Sequence, residues 1–170
     1  MSKILITGGC GFIGANTAEF YLKEGYKVVV IDNLSRVGSE YNLAWLKSLK
    51  GELFFENIDI RNYDSILKVF KQEIPDLVLH LASQTTVTGS IINPREDFEI
   101  NALGTFNVLE AIKNASPKSS LIYSSTNKVM GDLSGIPIKE EKTRYVLKKL
   151  KGISEKQPLE FCTPYGCSKG

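Results

Sequence analysis

The sequence predicts an α/β fold with a doubly wound parallel sheet, and three observations predict it. Short, nearly continuous apolar runs alternate with longer helical patterns from Lys3 to Ser125. The first run leads straight into a glycine-dense turn, "TGGCGFIG", at Thr7 to Gly14. The second run closes on an acid, Asp32.

The apolar runs are "KILIT" (3–7), "KVVVID" (27–32), "ELFFENI" (52–58), "DLVLHLA" (76–82) and "SLIYSS" (120–125). Strands covered on both faces read as continuous rather than alternating apolar stretches. Helical patterns lie between them at Phe12–Glu24, Glu40–Lys50, Tyr63–Glu73 and Phe98–Asn114. Strand–helix alternation makes βαβ units, whose crossovers are right-handed. The economical arrangement is a five-stranded parallel sheet ordered 3-2-1-4-5, with its switch point between strands 1 and 4. From Gly131 to Thr163 the pattern weakens. The basic stretch "RYVLKKLKG" there reads as a short helix or as a solvated face of a long loop.

Bulk properties narrow the class. The 170 residues suffice for one domain with its own core. Charged residues make up 24% and apolar ones 42%, ordinary values for a globular protein. A net charge of +2 gives no electrostatic case for nucleic acid or an anionic membrane. No apolar run has the length to span a bilayer. Three cysteines, Cys10, Cys162 and Cys167, without metal-binding spacing suggest reduced thiols and a cytoplasmic setting.

The glycines have separable roles. Gly8 permits a tight turn after the strand, Gly11 lets a ligand approach the backbone, and Gly14 lets the helix pack against the strand. Amides at the start of a helix, with its dipole behind them, attract a diphosphate. Phe12 and Ile13 lie in that first turn. Asp32 stands 18 residues past Gly14, where a carboxylate accepts hydrogen bonds from both hydroxyls of an adenosine ribose. It would also repel a 2′-phosphate, which favours NAD over NADP. Asn33, Ser35 and Arg36 follow it and are expected nearby. Cys10, inside the loop, reads as a small residue in a tight turn, and His80 as a structural hydrogen-bonding group at a strand end.

A second constellation closes the chain. Tyr165 and Lys169 in "PYGCSKG" form Y-x-x-x-K, positions that share one helix face. An ammonium beside a phenol favours the phenolate, so the tyrosine can take a proton near neutral pH. "YSSTNKVMGD" (123–132) follows the fifth strand and places Ser124 and the hydroxyl of Thr126 on the ligand side of the sheet. A nucleotide loop, a strand-end hydroxyl and a Tyr–Lys pair together suit hydride transfer.

This combination resembles the extended short-chain dehydrogenase/reductases, the nucleotide-sugar epimerases and dehydratases. The resemblance runs the whole length through "TGGCGFIG", "DNLSR", "DIRN", "HLASQ", "NALGT", "YSSTNK" and "YGCSKG". It implies a Rossmann NAD(P)-binding domain over residues 1–170 with NAD as cofactor. It implies that Asp59 and Ile60 border the adenine, that Leu81, Ala82 and Gln84 line the cofactor, and that Asn101 holds the helix facing the fourth strand. Thr126, Tyr165 and Lys169 are the implied catalytic trio. "DFEINALGT", "KTRY" and "TPYGCSKG" lie nearest the branch that inverts C2 of CDP-linked deoxyhexoses. The implied partners are therefore a nucleotide sugar and, for the whole protein, further copies of itself. Dehydratases of the superfamily carry Asp-Glu after the threonine; here Asn127 and Lys128 stand there, so the acid/base pair for elimination is missing. A 4-epimerase, a decarboxylase or a non-catalytic NAD-binding module are the competing readings.

Members of the superfamily run to about twice this length, with a second domain. The chain is accordingly expected to be an N-terminal portion, truncated after the fifth strand and without the sugar-nucleotide domain. Alone it is expected to be inactive and weakly stable. A helix barely begun should not hold Tyr165 and Lys169 on one face, and Leu121 and Tyr123 should lie partly bare.

Overall fold

The computed structural model describes residues 2–170. Its centre is a five-stranded parallel sheet in the order β3-β2-β1-β4-β5, as the strand–helix alternation predicts. The strands are β1 (Lys3–Thr7), β2 (Lys27–Asp32), β3 (Glu52–Asn57), β4 (Leu77–His80) and β5 (Ser120–Tyr123). Leu5 pairs with Val29 on one side and Val78 on the other, and Val78 in turn with Leu121. All but Leu121 are fully buried, because β1, β2 and β4 are interior strands covered on both faces.

The period-two alternation sends side chains to two cores. Ile4, Ile6, Val28, Val30 and Leu79 pack on α1 (Phe12–Lys23) and α2 (Ser39–Ser48), through Ala15, Ala18, Leu22, Leu43 and Leu46. Leu5, Val29, Ile31 and Val78 pack on the other face against α3 (Tyr63–Glu73) and the helix later in the chain that carries Val108 and Ala111. The edge strands are less covered than the sequence predicts. Phe54 on β3 and Ile122 on β5 are exposed, since each lies at the rim of its layer. Leu121 and Tyr123, expected to lie partly bare, are half-buried; the exposed apolar residue of β5 is their neighbour Ile122, on the opposite face.

The expected helix over Phe98–Asn114 is built differently. Two short helices come first, α4 (Val87–Ile92) and α5 (Pro94–Phe98). A π-turn at Glu99–Leu103 then leads into α6 (Gly104–Ala115). Pro94 begins α5 at a position where its missing N–H costs nothing, and the Asn93 side chain accepts from Glu96 N. The basic stretch after Gly131 forms no helix. Ile138–Glu140 (β6) and Tyr145–Leu147 (β7) pair as an antiparallel hairpin, in which Val146 and Leu147 are half-buried. The chain ends in α7 (Pro164–Lys169), a short but formed helix. Among the described residues no helix is long and apolar enough to cross a membrane.

Candidate functional site

The carboxyl ends of β1, β2, β4 and β5 converge where the strand order reverses, and a cleft of about 950 Å³ opens there. Its floor is the glycine loop. Gly8 has φ +67°, and a Cβ on it would come within 2.7 Å of the Ala82 backbone. A Cβ on Gly14 would overlap the Gly8 carbonyl oxygen and approach Gly9 Cα to 2.7 Å. Both positions are closed to any side chain by backbone atoms. Gly11 differs: its backbone is extended, and a Cβ there would meet only Gly8 O, at 3.2 Å. Gly11 is also the N-cap of α1, with no side-chain cap and no acid in the first turn. The positive end of α1 therefore faces the cleft unneutralised, with Phe12 and Ile13 exposed beside it.

Asp32 stands at the end of β2. Its Oδ2 accepts from Cys10 N (2.9 Å) and its Oδ1 from Leu34 N (2.8 Å). Two backbone amides thus fix the carboxylate, which also braces the glycine loop. Asn42, half-buried on α2, braces the same loop by donating to Cys10 O at 2.8 Å; in the sequence it reads only as a polar helix residue. Next along the cleft, Asn33 Nδ2 donates to Asp59 Oδ2 (3.0 Å). Arg61 grips the same carboxylate, and its hydrogen bonds hold Asp59 down at about 2. Arg36 reaches across the cleft to the Thr85 hydroxyl.

Tyr165 and Lys169 enter from α7. Thr163 caps that helix, accepting from Gly166 N at 3.0 Å, and Pro164 starts it. Ser90 accepts from Tyr165 N at 3.1 Å. These contacts overturn the expectation that so short a helix would not form: tertiary packing supplies what nucleation lacks. Tyr165 is 9% and Lys169 5% exposed, and both line the cleft one turn apart. The Lys169 ammonium sits 4.3 Å from the centre of the Tyr123 ring. Burial pulls Lys169 down to about 8, with Asp97 acting the other way.

The cleft wall collects Gly8, Gly11, Phe12, Ile13, Gly14, Asp32, Asn33, Ser35, Arg36, Asp59, Ile60, Leu81, Ala82, Gln84, Ser124, Tyr165 and Lys169. Two expected residues stand outside it. Thr126 caps the short turn Asn127–Val129, its Oγ1 accepting from Lys128 N at 3.3 Å. Asn101 is buried behind the wall. Its Oδ1 accepts from Gln84 N (2.9 Å) and Ser83 Oγ (3.0 Å), and its Nδ2 donates to Gln84 O (3.1 Å). Asn101 thus fixes the loop after β4 from within the π-turn.

His80 and Cys10 lie at the site without acid–base capacity. Thr105 donates its hydroxyl proton to Asn101 O (2.5 Å), so it accepts from His80 Nε2–H (2.9 Å). Nδ1 is then bare and accepts from the Thr7 hydroxyl (2.6 Å), whose oxygen accepts from Ala82 N (3.2 Å). Burial, with Lys169 nearby, pushes His80 down to about 4 and keeps it neutral. Burial, with Asp32 beside it, pushes the Cys10 thiol up to about 12. Among the described residues no group of His, Cys, Asp and Glu is placed to hold a metal.

Comparison with known proteins agrees with this geometry. The chain is 49% identical to CDP-paratose 2-epimerase of Salmonella typhi over 169 residues, 99% of this chain and 50% of that protein. It is 33% identical to UDP-glucose 4-epimerase of Neisseria meningitidis serogroup C, over 99% of this chain and 45% of that one. Among solved structures, the UDP-Glc/GlcNAc 4-epimerase of Campylobacter jejuni superposes with a TM-score of 0.83 at 30% identity, covering 99% of this chain and 46% of that one. A Thermus thermophilus UDP-glucose 4-epimerase in complex with NAD gives a TM-score of 0.75 at 30% identity, over 98% of this chain and 47% of that one. The chain spans about half the length of the curated relatives it matches. Residues 5–170 match the family described as GDP-mannose 4,6 dehydratase, and the chain belongs to that family, among the extended short-chain dehydrogenase/reductases.

Proposed function

We propose that this chain is the NAD-binding half of a nucleotide-sugar epimerase, with CDP-paratose inverted at C2 as its reaction. The observation that carries the reading is one cleft joining an uncapped helix N-terminus, a strand-end carboxylate and a buried Tyr–Lys pair. The residues present fit NAD. The bare backbone at Gly11 to Ile13 would hold the pyrophosphate, and Asp32 the adenosine ribose, with Asn33, Ser35 and Arg36 beside it. Asp59 and Ile60 would border the adenine, and Leu81, Ala82, Gln84 and Ser124 the inner end. NAD, when bound, would accept a hydride from the sugar and return it, and so end unchanged.

The chain's own residues would handle the proton and the geometry. Tyr165 would take the sugar hydroxyl proton and give it back. Lys169 would hold a ribose hydroxyl and favour the phenolate. Thr126 would turn its hydroxyl proton from the long contact with Asn127 Oδ1 (3.5 Å) to the reacting sugar oxygen. Asn127 and Lys128, both exposed, carry no carboxyl group, which favours epimerisation over dehydration even though the family is described by a dehydratase. The 49% identity to a CDP-paratose 2-epimerase supports the CDP-linked sugar. The cytoplasmic setting rests on three unpaired thiols, and self-association of the whole protein on the exposed Leu103 at the end of the π-turn with Phe106 and Leu109 on α6.

In the full-length protein carrying this chain, Tyr165→Phe should lower kcat on CDP-paratose by about a hundredfold or more and leave NAD bound. In deuterated water the product should carry no deuterium at C2. Solvent label at that carbon, or full activity of the Phe variant, refutes the reading.

A further inference from the structure

Asp97 is a carboxylate that none of these roles uses, yet it is 1% exposed. It sits on α5, where that helix runs into the π-turn. Its Oδ2 accepts from Ser168 Oγ at 2.5 Å and its Oδ1 from Asn101 Nδ2 at 3.2 Å. Asn101 Nδ2 also lies 3.1 Å from Ser168 Oγ, so its two protons are shared among Gln84 O, Asp97 Oδ1 and Ser168 Oγ. The hydroxyl of Ser168 has one proton, and the short contact to Asp97 takes it in preference to the Tyr165 carbonyl at 3.2 Å. Three buried side chains from α5, the π-turn and α7 thus close a directional triangle.

Hydrogen bonding alone does not call for a charge here. A neutral amide could accept from Ser168 as well, and a buried carboxylate is costly unless a cation offsets it. The cation is next along the chain: Lys169 follows Ser168 and is 5% exposed. Among the described residues Lys169 has no carboxylate within ion-pair distance. Four titratable groups face it: Asp97 from α5, Tyr123 from β5, Tyr165 from its own helix, and His80 on β4 behind the Tyr123 ring. His80 is neutral, and burial pushes Tyr123 upward. Asp97 alone of the four is a carboxylic acid.

We propose that Asp97 is a positioning residue for the Tyr165–Lys169 pair: it pins α7 through Ser168 and gives Lys169 a buried counter-charge. The proposal rests on the reading that Tyr165 and Lys169 carry the proton chemistry, and it deepens that reading by naming what holds them. Asp97 touches neither the cleft nor a reacting atom and acts through its two neighbours.

The test needs no turnover. In the NAD-bound chain labelled with 13C at lysine Cε, the Lys169 resonance, assigned by Lys169→Arg, reports its titration. Asp97→Asn should lower the midpoint by about one unit or more, tenfold in the acid constant, and Asp97→Glu should recover at least half of that. Ser168→Ala keeps the charge and cuts the pin. It should speed amide exchange at Cys167 and Gly170 by about tenfold or more, with α6 unchanged. An unmoved midpoint in folded Asp97→Asn, or unmoved exchange in Ser168→Ala, overturns the proposal. If Asp97→Asn does not fold, the Ser168→Ala result decides by itself. Failure of the catalytic reading shows elsewhere, as full activity of Tyr165→Phe.

Discussion

Alanine at Gly11 and alanine at Gly14 should have opposite signatures, although three residues separate them. At Gly14 the added methyl overlaps the Gly8 carbonyl and lies 2.7 Å from Gly9 Cα, both main chain. The start of α1 must lift off β1. Overpacking against main chain, which cannot swing away as a side chain can, costs about 2–3 kcal/mol, against about 1 kcal/mol gained from alanine's better helix propensity. The net loss of about 1–2 kcal/mol corresponds to about 2–8 °C in Tm for a chain of this size. At Gly11 the backbone has φ −72° and ψ 174°, which any residue adopts, and the methyl meets only Gly8 O at 3.2 Å. Stability should stay within about 1 kcal/mol of wild type, since the less flexible unfolded chain offsets mild crowding. NAD affinity should nevertheless fall by about tenfold or more, because the methyl occupies the surface that the pyrophosphate would touch. Thermal melting and calorimetric titration with NAD separate the two effects. Wild-type NAD affinity in a well-folded Gly11→Ala protein refutes the pyrophosphate site, and a wild-type Tm in Gly14→Ala refutes the packing argument.

Other outcomes follow from the same geometry. The wild-type chain should bind NAD more tightly than NADP, and Asp32→Ala should narrow that gap; equal wild-type affinities by calorimetry would remove the role given to Asp32. His80 is the single histidine, so its C2–H resonance is unambiguous, and it should show no inflection between pH 7.5 and 5.5. Its native value of about 4 lies below the ordinary 6.5, so the unfolded chain binds the proton first. Stability should therefore decline as pH falls from 6.5 towards 4, by about 1.4 kcal/mol per unit once well below 6.5, and His80→Gln should flatten that part of the profile. Iodoacetamide should alkylate Cys162 and Cys167 in the native chain and spare Cys10, whose thiol is buried and held near 12; three modified thiols by mass spectrometry would contradict the loop structure.

What the sequence made legible depended on the range of the interaction. The sheet order and the glycine loop could be read because their causes are local: apolar period, a turn needing φ > 0 at Gly8, an acid at a strand end. The edge strands read as if fully covered, because coverage depends on neighbours that a single run does not reveal. The helix over Phe98–Asn114 hid a π-turn. Its reason is Asn101, whose amide must face Gln84 and Ser168 at once, a demand set by residues 17 and 67 positions away. The hairpin at Ile138–Leu147 lay in a charged stretch where helical and extended patterns are equally weak.

The end of the chain makes the same point most sharply. By propensity a six-residue helix with proline and glycine in its first turn should not persist. It forms because each of its elements meets a partner elsewhere: Thr163 closes its first turn, Ser90 takes the Tyr165 amide, and Asp97 takes the Ser168 hydroxyl. Gly166 lets α7 lie against the turn after β5, since a Cβ there would stand 2.6 Å from the Lys128 carbonyl oxygen. The Y-x-x-x-K spacing identifies which two residues could share a face. Whether they do is decided by α4, α5 and the turn after β5, so the geometry of the proposed proton site is a tertiary property that local sequence only permits.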